Sequence, residues 1–202
     1  MNITTENSQD DSTLIKRVSQ GDAAAFKTIV KNTERLVAQI IFKMIPVKED
    51  RRDLAQEVYL KAYDNLGSFK FQCKLSTWIG QITYNTCCKY LAKKKLVLYD
   101  NIYGDDDNDA LETVGNRMVD ITKNEPENQL FKKELAAILK IEIDKLSPLY
   151  KTLITLYHNE ELSYSEIAEI TSLPDGTIKS YLFRARNILK NNLMRTYKPE
   201  DL

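Results

Sequence analysis

One stretch, Leu162-Ser-Tyr-Ser-Glu-Ile-Ala-Glu-Ile-Thr-Ser-Leu-Pro-Asp-Gly-Thr-Ile-Lys-Ser-Tyr-Leu-Phe-Arg-Ala-Arg186, narrows what this chain can fold into more than any other. Ser163 is a favourable N-cap, and Glu166, three residues on, can return its carboxylate to the cap's own N–H, so a helix is expected from Tyr164. Ile167, Ala168 and Ile170 supply its apolar side, with small Ala168 permitting close approach of a second helix. Ser172 to Gly176 then holds the breakers: Pro174 disfavours helix in the residue before it, and Asp175 or Thr177 can cap the next helix. Ile178, Leu182, Ala185, Leu189 and Leu193 recur at helical steps, and from Thr177 to Lys198 there are six Lys or Arg and no acid.

Two short helices across a tight turn, the second one-signed and basic, form the helix-turn-helix arrangement. In it the N-terminal residues of the second helix meet base edges in the major groove. That nominates Thr177, Lys179, Ser180 and Tyr181 for base contact, and places Arg184, Arg186 and Lys190 against phosphates. A helical hairpin with a solvated basic face shares the charge pattern, though not the coincidence of capping box, turn and basic helix in this order.

The rest of the chain reads as helical too. Only six Gly and five Pro in 202 residues, with 43% apolar residues, point to an all-α fold with real cores. No apolar run approaches the roughly 20 residues that span a bilayer, and the polar, acidic N-terminus is unlike a signal peptide, so a cytoplasmic location is expected. Cys73, Cys87 and Cys88 form no Cys-x-x-Cys pair and His158 is the single histidine, so no structural zinc site and no cofactor is expected. The cysteines read as small core side chains, with redox sensing by Cys87 or Cys88 as the alternative.

Net charge is zero but strongly segregated: six lysines and no acid between Lys70 and Leu96, then nine acids against Arg117 and Lys123 between Asp100 and Glu127. Since screening acts over about 10 Å, only the local charge matters to a phosphate.

Asp22 should cap a helix from Ala23 to Met44 that Pro46 ends, and another should run from about Glu49 to Leu66 with Gly67 stopping it. The polar side of the latter holds Asp53, Gln56, Glu57 and Lys61. After the basic, aromatic-bearing loop Ser68 to Leu75, Ser76 is expected to cap a helix from Thr77 to Lys95. Its polar residues, among them Gln81, Asn85, Lys89 and Lys93, are hydrogen-bonding or positive and never negative. Lysines interleaved with Phe69, Phe71, Trp78, Tyr84 and Tyr90 suit single-stranded DNA, on whose bases rings stack for roughly 1–3 kcal/mol each. Trp78 at helical spacing reads equally as a core residue.

Residues 97–125 lose periodicity and read as an acidic flexible linker. A calcium loop starting at Asp105 fails on Ala110, where glycine is needed, and on Asn116, where the bidentate acid belongs. A helix to Lys145, one started by Ser147-Pro148, and the helix-turn-helix complete a four-helix C-terminal unit.

Three blocks in this order, Asp53-Leu-Ala-Gln-Glu-Val-Tyr-Leu-Lys-Ala-Tyr63, Trp78-Ile-Gly-Gln-Ile-Thr-Tyr-Asn85 and Leu162 to Arg186, resemble the extracytoplasmic-function group of the sigma-70 family. The resemblance implies a bacterial initiation subunit with a region 2 domain over residues 1–96, a linker over 97–125 and a region 4 domain over 126–202. By position it assigns Asp53, Gln56, Glu57, Tyr59 and Lys61 to core-polymerase binding, and Phe71, Lys74, Trp78, Gln81, Asn85, Lys89 and Lys93 to the minus-10 element. Gly176, Thr177, Lys179, Ser180, Tyr181, Arg184 and Arg186 fall to the minus-35 element.

The partners it implies are core RNA polymerase, through the β′ clamp helices and the β flap, promoter DNA and an anti-sigma factor, without membrane insertion. Three positions depart from the pattern: Lys89 replaces an aspartate, Ser172 the turn glycine, and Tyr181 an arginine. Tyr181 cannot make the bidentate guanine contact of an arginine.

No Ser/His/Asp or Cys/His constellation and no glycine-rich phosphate loop is present, so catalysis is not expected. Two other readings stay open on the residues alone. One is a helix-turn-helix regulator that binds duplex DNA without polymerase; the other is a protein-binding adaptor whose basic patches are incidental.

Overall fold

The computed structural model describes residues 3–99 and 127–196, with side chains over 10–94 and 135–195. The acidic stretch 100–126, the calcium-loop comparison within it and Lys198 lie outside the described residues. Among those described there is no β-strand, in agreement with an all-helical chain. The order is α1 (Ile3–Ser19), α2 (Ala23–Met44), α3 (Lys48–Asn65), a 3-10 turn (Leu66–Ser68), α4 (Leu75–Tyr99), α5 (Glu127–Lys145), α6 (Pro148–His158), α7 (Tyr164–Thr171) and α8 (Asp175–Thr196).

Capping chemistry explains most of these ends. Asp22 Oδ1 accepts the N–H groups of Ala24 and Ala25 at 2.9 and 3.2 Å, satisfying orphan donors at the start of α2. Its other oxygen takes Arg17 Nη2 at 2.7 Å, and Gly21, at φ 87°, makes the turn between α1 and α2 that lets the two meet. Ile45, held extended before Pro46, ends α2. α3 has no side-chain cap at Val47; Glu49 and Asp50 in its first turn favour the helix dipole instead. Ser147 with Pro148 starts α6 as expected, and the Ser163/Glu166 box starts α7 in both directions.

Three local expectations need correcting, and one helix was not expected. Gly67 does not end α3 in a left-handed conformation; the chain tightens at Leu66 into a 3-10 turn, and Gly67 has no positive φ. α4 starts at Leu75, so Ser76 lies inside the helix and does not cap it. α8 starts at Asp175, so Asp175 and Thr177 both lie within its first turn and neither precedes it as a cap; the Pro174 carbonyl already accepts Ile178 N–H at 3.0 Å. Finally, α1 has no counterpart in the sequence reading. Among its described side chains, from residue 10 on, Leu14, Ile15 and Val18 reach the core.

The cores are dense with β-branched and leucine side chains. Ile29, Val37, Ile40 and Ile41 of α2 meet Val58 and Ala62 of α3 and Ile79 and Cys87 of α4, all 2% exposed or less. In the C-terminal half Leu153, Leu156, Ile167, Ile170, Ile178, Leu182 and Ala185 are fully buried. Full burial of each such leucine or isoleucine contributes about 1.5–3 kcal/mol. Cys87 sits in this core with its thiol pushed up to about 12 by burial, which makes it a packing residue. Cys73 and Cys88 are partly buried and their thiols are also raised, first by burial.

The two halves touch. α2 packs against α6 and α4 against α7. Gly80 makes the second crossing possible: a β-carbon there would stand 3.1 Å from Cδ1 and Cγ1 of Ile170. Three ion pairs border the contact, Lys43–Asp144 at 2.7 Å, Arg35–Glu160 at 3.1 Å and Lys74–Glu166 at 2.8 Å.

Candidate nucleic-acid interface

The first surface is built by α4 and the loop before it. Phe69 is buried, and its ring anchors Phe71 at 4.9 Å and half-buried Trp78 at 5.4 Å. Trp78 therefore stands at the edge of the core with one side open, between the two readings of it. Phe71 is 47% exposed and has φ 57°, a conformation that a bulky residue adopts only under constraint from its surroundings.

Along α4, Asn85, Lys89 and Lys93 are exposed and Gln81 is half-buried. They share one side of the helix with Trp78, at spacings of three and four. Lys94 has turned away: it reaches Asp50 at 3.0 Å and lies over the Tyr90 ring. Asp50 also accepts the Tyr90 hydroxyl, and these two hydrogen bonds hold its carboxyl below the usual range. Lys74 is exposed but paired with Glu166.

The second surface is the outer side of α3. Asp53, Gln56 and Glu57 are exposed together, and Lys61, half-buried, bonds Glu57 and lies 3.2 Å from Thr86 Oγ1. Tyr59 faces the opposite way. Its hydroxyl sits 3.2 Å from Thr33 Oγ1, and burial raises its pKa. Sequence reading missed Leu60, which is 64% exposed in the middle of the polar side. The i, i+3, i+4, i+7 step from Asp53 through Gln56 and Glu57 to Leu60 is the signal that could have found it.

The third surface is the helix-turn-helix. Ser172, where the family pattern has glycine, takes the left-handed conformation at φ 58° and so closes α7. Ile178, Leu182 and Ala185 are buried and orient α8, leaving Gly176, Lys179, Ser180 and Arg186 exposed. Thr177, Tyr181 and Arg184 are half-buried. Ser180 Oγ returns to the Gly176 carbonyl at 3.0 Å.

Aromatic rings beneath the cations set their positions. Lys179 Nζ lies 5.7 Å over Tyr164 and Arg186 Cζ 5.3 Å over Tyr157, with the two tyrosines stacked at 5.1 Å. Arg186 Nη2 is 3.4 Å from His158 Nε2; burial and this guanidinium lower the His158 pKa, which keeps the ring neutral near pH 7. Tyr181 packs edge-on to Tyr150 at 5.8 Å and is turned partly inward.

Residues 29–97 match the family model for sigma-70 region 2 and residues 138–189 the model for sigma-70 region 4. The chain is 35% identical to the ECF RNA polymerase sigma-E factor of Haemophilus influenzae, covering 91% of this chain and 95% of that one. It is 34% identical to the protein of the same name from Escherichia coli, covering 91% and 94%.

Two solved structures share the fold. The sigma factor RpoE in complex with the anti-sigma factor NepR from Bartonella quintana aligns at TM-score 0.60 and 22% identity, over 85% of this chain and 98% of that one. CnrH in complex with the cytosolic domain of CnrY aligns at 0.59 and 19%, over 93% and 99%. With region 2 and region 4 in order along one chain and relatives this similar over nearly their whole length, the protein belongs to the extracytoplasmic-function sigma factors of the sigma-70 family.

Proposed function

We propose that this sigma factor docks on core polymerase through the outer side of α3 and holds promoter DNA at two places, with α4 and its preceding loop at the minus-10 element and α8 at the minus-35 element. The observation that carries the reading is the one-signed polar side of α4, where Asn85, Lys89 and Lys93 are exposed without an acid on the same side, in a chain that also carries a helix-turn-helix. Phe71 and Trp78 offer ring faces for unstacked bases, while the lysines follow the backbone. Lys179, Ser180, Thr177 and Gly176 lie at the start of α8 for base edges, and Arg184 and Arg186 reach phosphates. Each contact alone is weak, and polymerase raises the effective concentration of the second once the first is made.

On α3, Leu60 adds an apolar anchor among Asp53, Gln56 and Glu57, while Tyr59 contributes by fixing α3 on α2. The chain acts by binding and not by catalysis. Among the described residues no helix is long and apolar enough to cross a membrane, and a polymerase subunit works in the cytoplasm. Because RpoE of Bartonella quintana and CnrH are each seen with a protein partner, an anti-sigma factor is proposed here also, and the β flap as the seat of the C-terminal unit.

Replacing Asp53 and Glu57 together with Lys tests the docking side. The variant should lose co-purification with core polymerase while keeping its helical circular dichroism. Retained co-purification would remove α3 from the interface.

A further inference from the structure

We propose that Tyr157 and Tyr164 are positioning residues for promoter binding: their stacked rings aim Lys179 and Arg186 along the DNA-facing side of α8. This rests on the reading of α8 as the minus-35 helix. Lys179 and Arg186 stand seven positions apart, two helical turns, so they share one exposed side of α8. Long cationic side chains on such a side sample many rotamers, and ordering them on DNA costs entropy. Here the rings restrict them beforehand. Lys179 Nζ lies over the Tyr164 ring and Arg186 Cζ over the Tyr157 ring, and among the described residues no carboxylate pairs with either cation.

The chain reversal between α6 and α7 places the rings. The Asn159 and Glu160 N–H groups both reach the Thr155 carbonyl, Glu161 takes the left-handed conformation at φ 52°, and Leu162 N–H returns to the Leu156 carbonyl at 3.1 Å. That turn and the Ser163 cap set Tyr164, the first residue of α7, against Tyr157 near the end of α6, with the ring planes 11° from parallel. The His158 ring stands edge-on to Tyr157 at 4.9 Å, so Tyr157 is held by two rings.

A ring face attracts a cation without taking its hydrogen-bond donors. Lys179 therefore keeps its ammonium donors for a base edge. Arg186 has one nitrogen 3.4 Å from His158 Nε2 and keeps the rest of its fork for phosphate. Both rings come from outside α8, so they fix the cations relative to the whole helix-turn-helix and not to α8 alone.

Holoenzyme is titrated by fluorescence anisotropy against a fluorescein-labelled duplex carrying a promoter that it transcribes, and against the same duplex with the minus-35 element scrambled. Tyr157→Leu and Tyr164→Leu keep apolar volume without a ring face, and each should weaken binding of the promoter duplex about two- to fivefold. Tyr157→Phe and Tyr164→Phe keep the face and should bind as wild type. The losses should differ in kind: Tyr164→Leu relaxes the preference for the unscrambled element through Lys179, whereas Tyr157→Leu weakens both duplexes alike through Arg186. In a Lys179→Met background Tyr164→Leu should have no further effect, and likewise Tyr157→Leu in an Arg186→Met background.

Leucine variants that bind as wild type, phenylalanine variants as weak as leucine, or a leucine loss that persists in full in the methionine background overturn the inference; the last marks plain packing of α7 on α6. A readout on the unmutated chain keeps the test decisive should a leucine variant misfold. By nuclear magnetic resonance the ε-methylene protons of Lys179 should lie upfield under the Tyr164 ring current, and unshifted protons overturn the inference. Lys179→Met and Arg186→Met separate this failure from that of the underlying reading. If both leave promoter binding unchanged, α8 is not the minus-35 helix and the positioning role falls with it. If they weaken binding and the leucine variants do not, only the positioning role is wrong.

Discussion

The reciprocal box at the start of α7 makes a quantitative claim. Ser163 Oγ accepts Glu166 N–H at 3.2 Å, while Glu166 Oε2 accepts Ser163 N–H at 2.9 Å and the Ser163 hydroxyl at 2.8 Å. Ser163→Ala removes the first and third bonds and leaves one helix donor to water, which costs about 1 kcal/mol for an N-cap. Glu166→Ala removes the return bond, about 1 kcal/mol at this partly exposed site, and the pair with Lys74, for which at most about 1 kcal/mol is expected.

If the two residues acted separately the double variant would lose about 2–3 kcal/mol. Because the bond from the Ser163 hydroxyl to Glu166 Oε2 is lost in either single variant, the double variant should fall short of that sum by about 0.5–1 kcal/mol. Urea unfolding followed by far-UV circular dichroism measures all four corners of the cycle. At this chain length each kcal/mol also moves Tm by about 2–4 °C. A strictly additive cycle, or a Ser163→Ala protein within about 0.3 kcal/mol of wild type, would refute the claim that this box starts the helix-turn-helix.

Three further outcomes are expected. Ser172→Gly relieves a left-handed serine at φ 58° and, after the added unfolded-state entropy of glycine, should stabilise by about 0.5–1 kcal/mol in the same urea assay; destabilisation would contradict the turn geometry. Lys179→Ala and Arg184→Ala should each weaken polymerase-dependent minus-35 binding, the first with relaxed sequence preference and the second with a salt slope lower by about 1, whereas unchanged occupancy at moderate salt would take α8 out of the contact. Asp22 has its carboxyl held below the usual range, first by the Arg17 hydrogen bond and then by the α2 N–H groups. The stability it contributes is present above the unfolded carboxylate value of about 4 and is lost as pH falls through the folded value. Asp22→Asn should therefore flatten the acid limb of a stability-versus-pH curve. An unchanged acid limb would show that the cap does not titrate.

Local chemistry was legible wherever one residue decides one end. Asp22, Pro46, Ser147-Pro148 and Ser163 with Glu166 were readable because a cap or a breaker acts within four residues of itself. The basic character of Lys70–Leu96 and of α8 was equally plain, since it needs only counting.

What escaped involves partners far apart in the chain. Glu166 meets Lys74 across 92 positions and Ile170 seats on Gly80, and neither pairing leaves a periodic trace. Tyr59 and Leu60 are neighbours in sequence, yet one turns to Thr33 and the other to solvent, which depends on how α3 is rotated against α2. α1 was missed because Leu14, Ile15 and Val18, its core residues among the described side chains, follow a run of mostly polar residues that shows no apolar stripe. Ser172, noted only as a departure from glycine, proves to hold the glycine conformation itself.

The central claim is that this chain reads promoters only as part of polymerase. In vitro transcription with core enzyme on a library of promoter fragments tests it most directly. The account expects discrete transcripts from fragments sharing a minus-35 and a minus-10 element, dependent on added chain, and no specific retention of those fragments by the chain alone. Sequence-specific binding of duplex DNA by the free chain, with no transcript above core enzyme, would contradict it and return the helix-turn-helix to a polymerase-independent regulator.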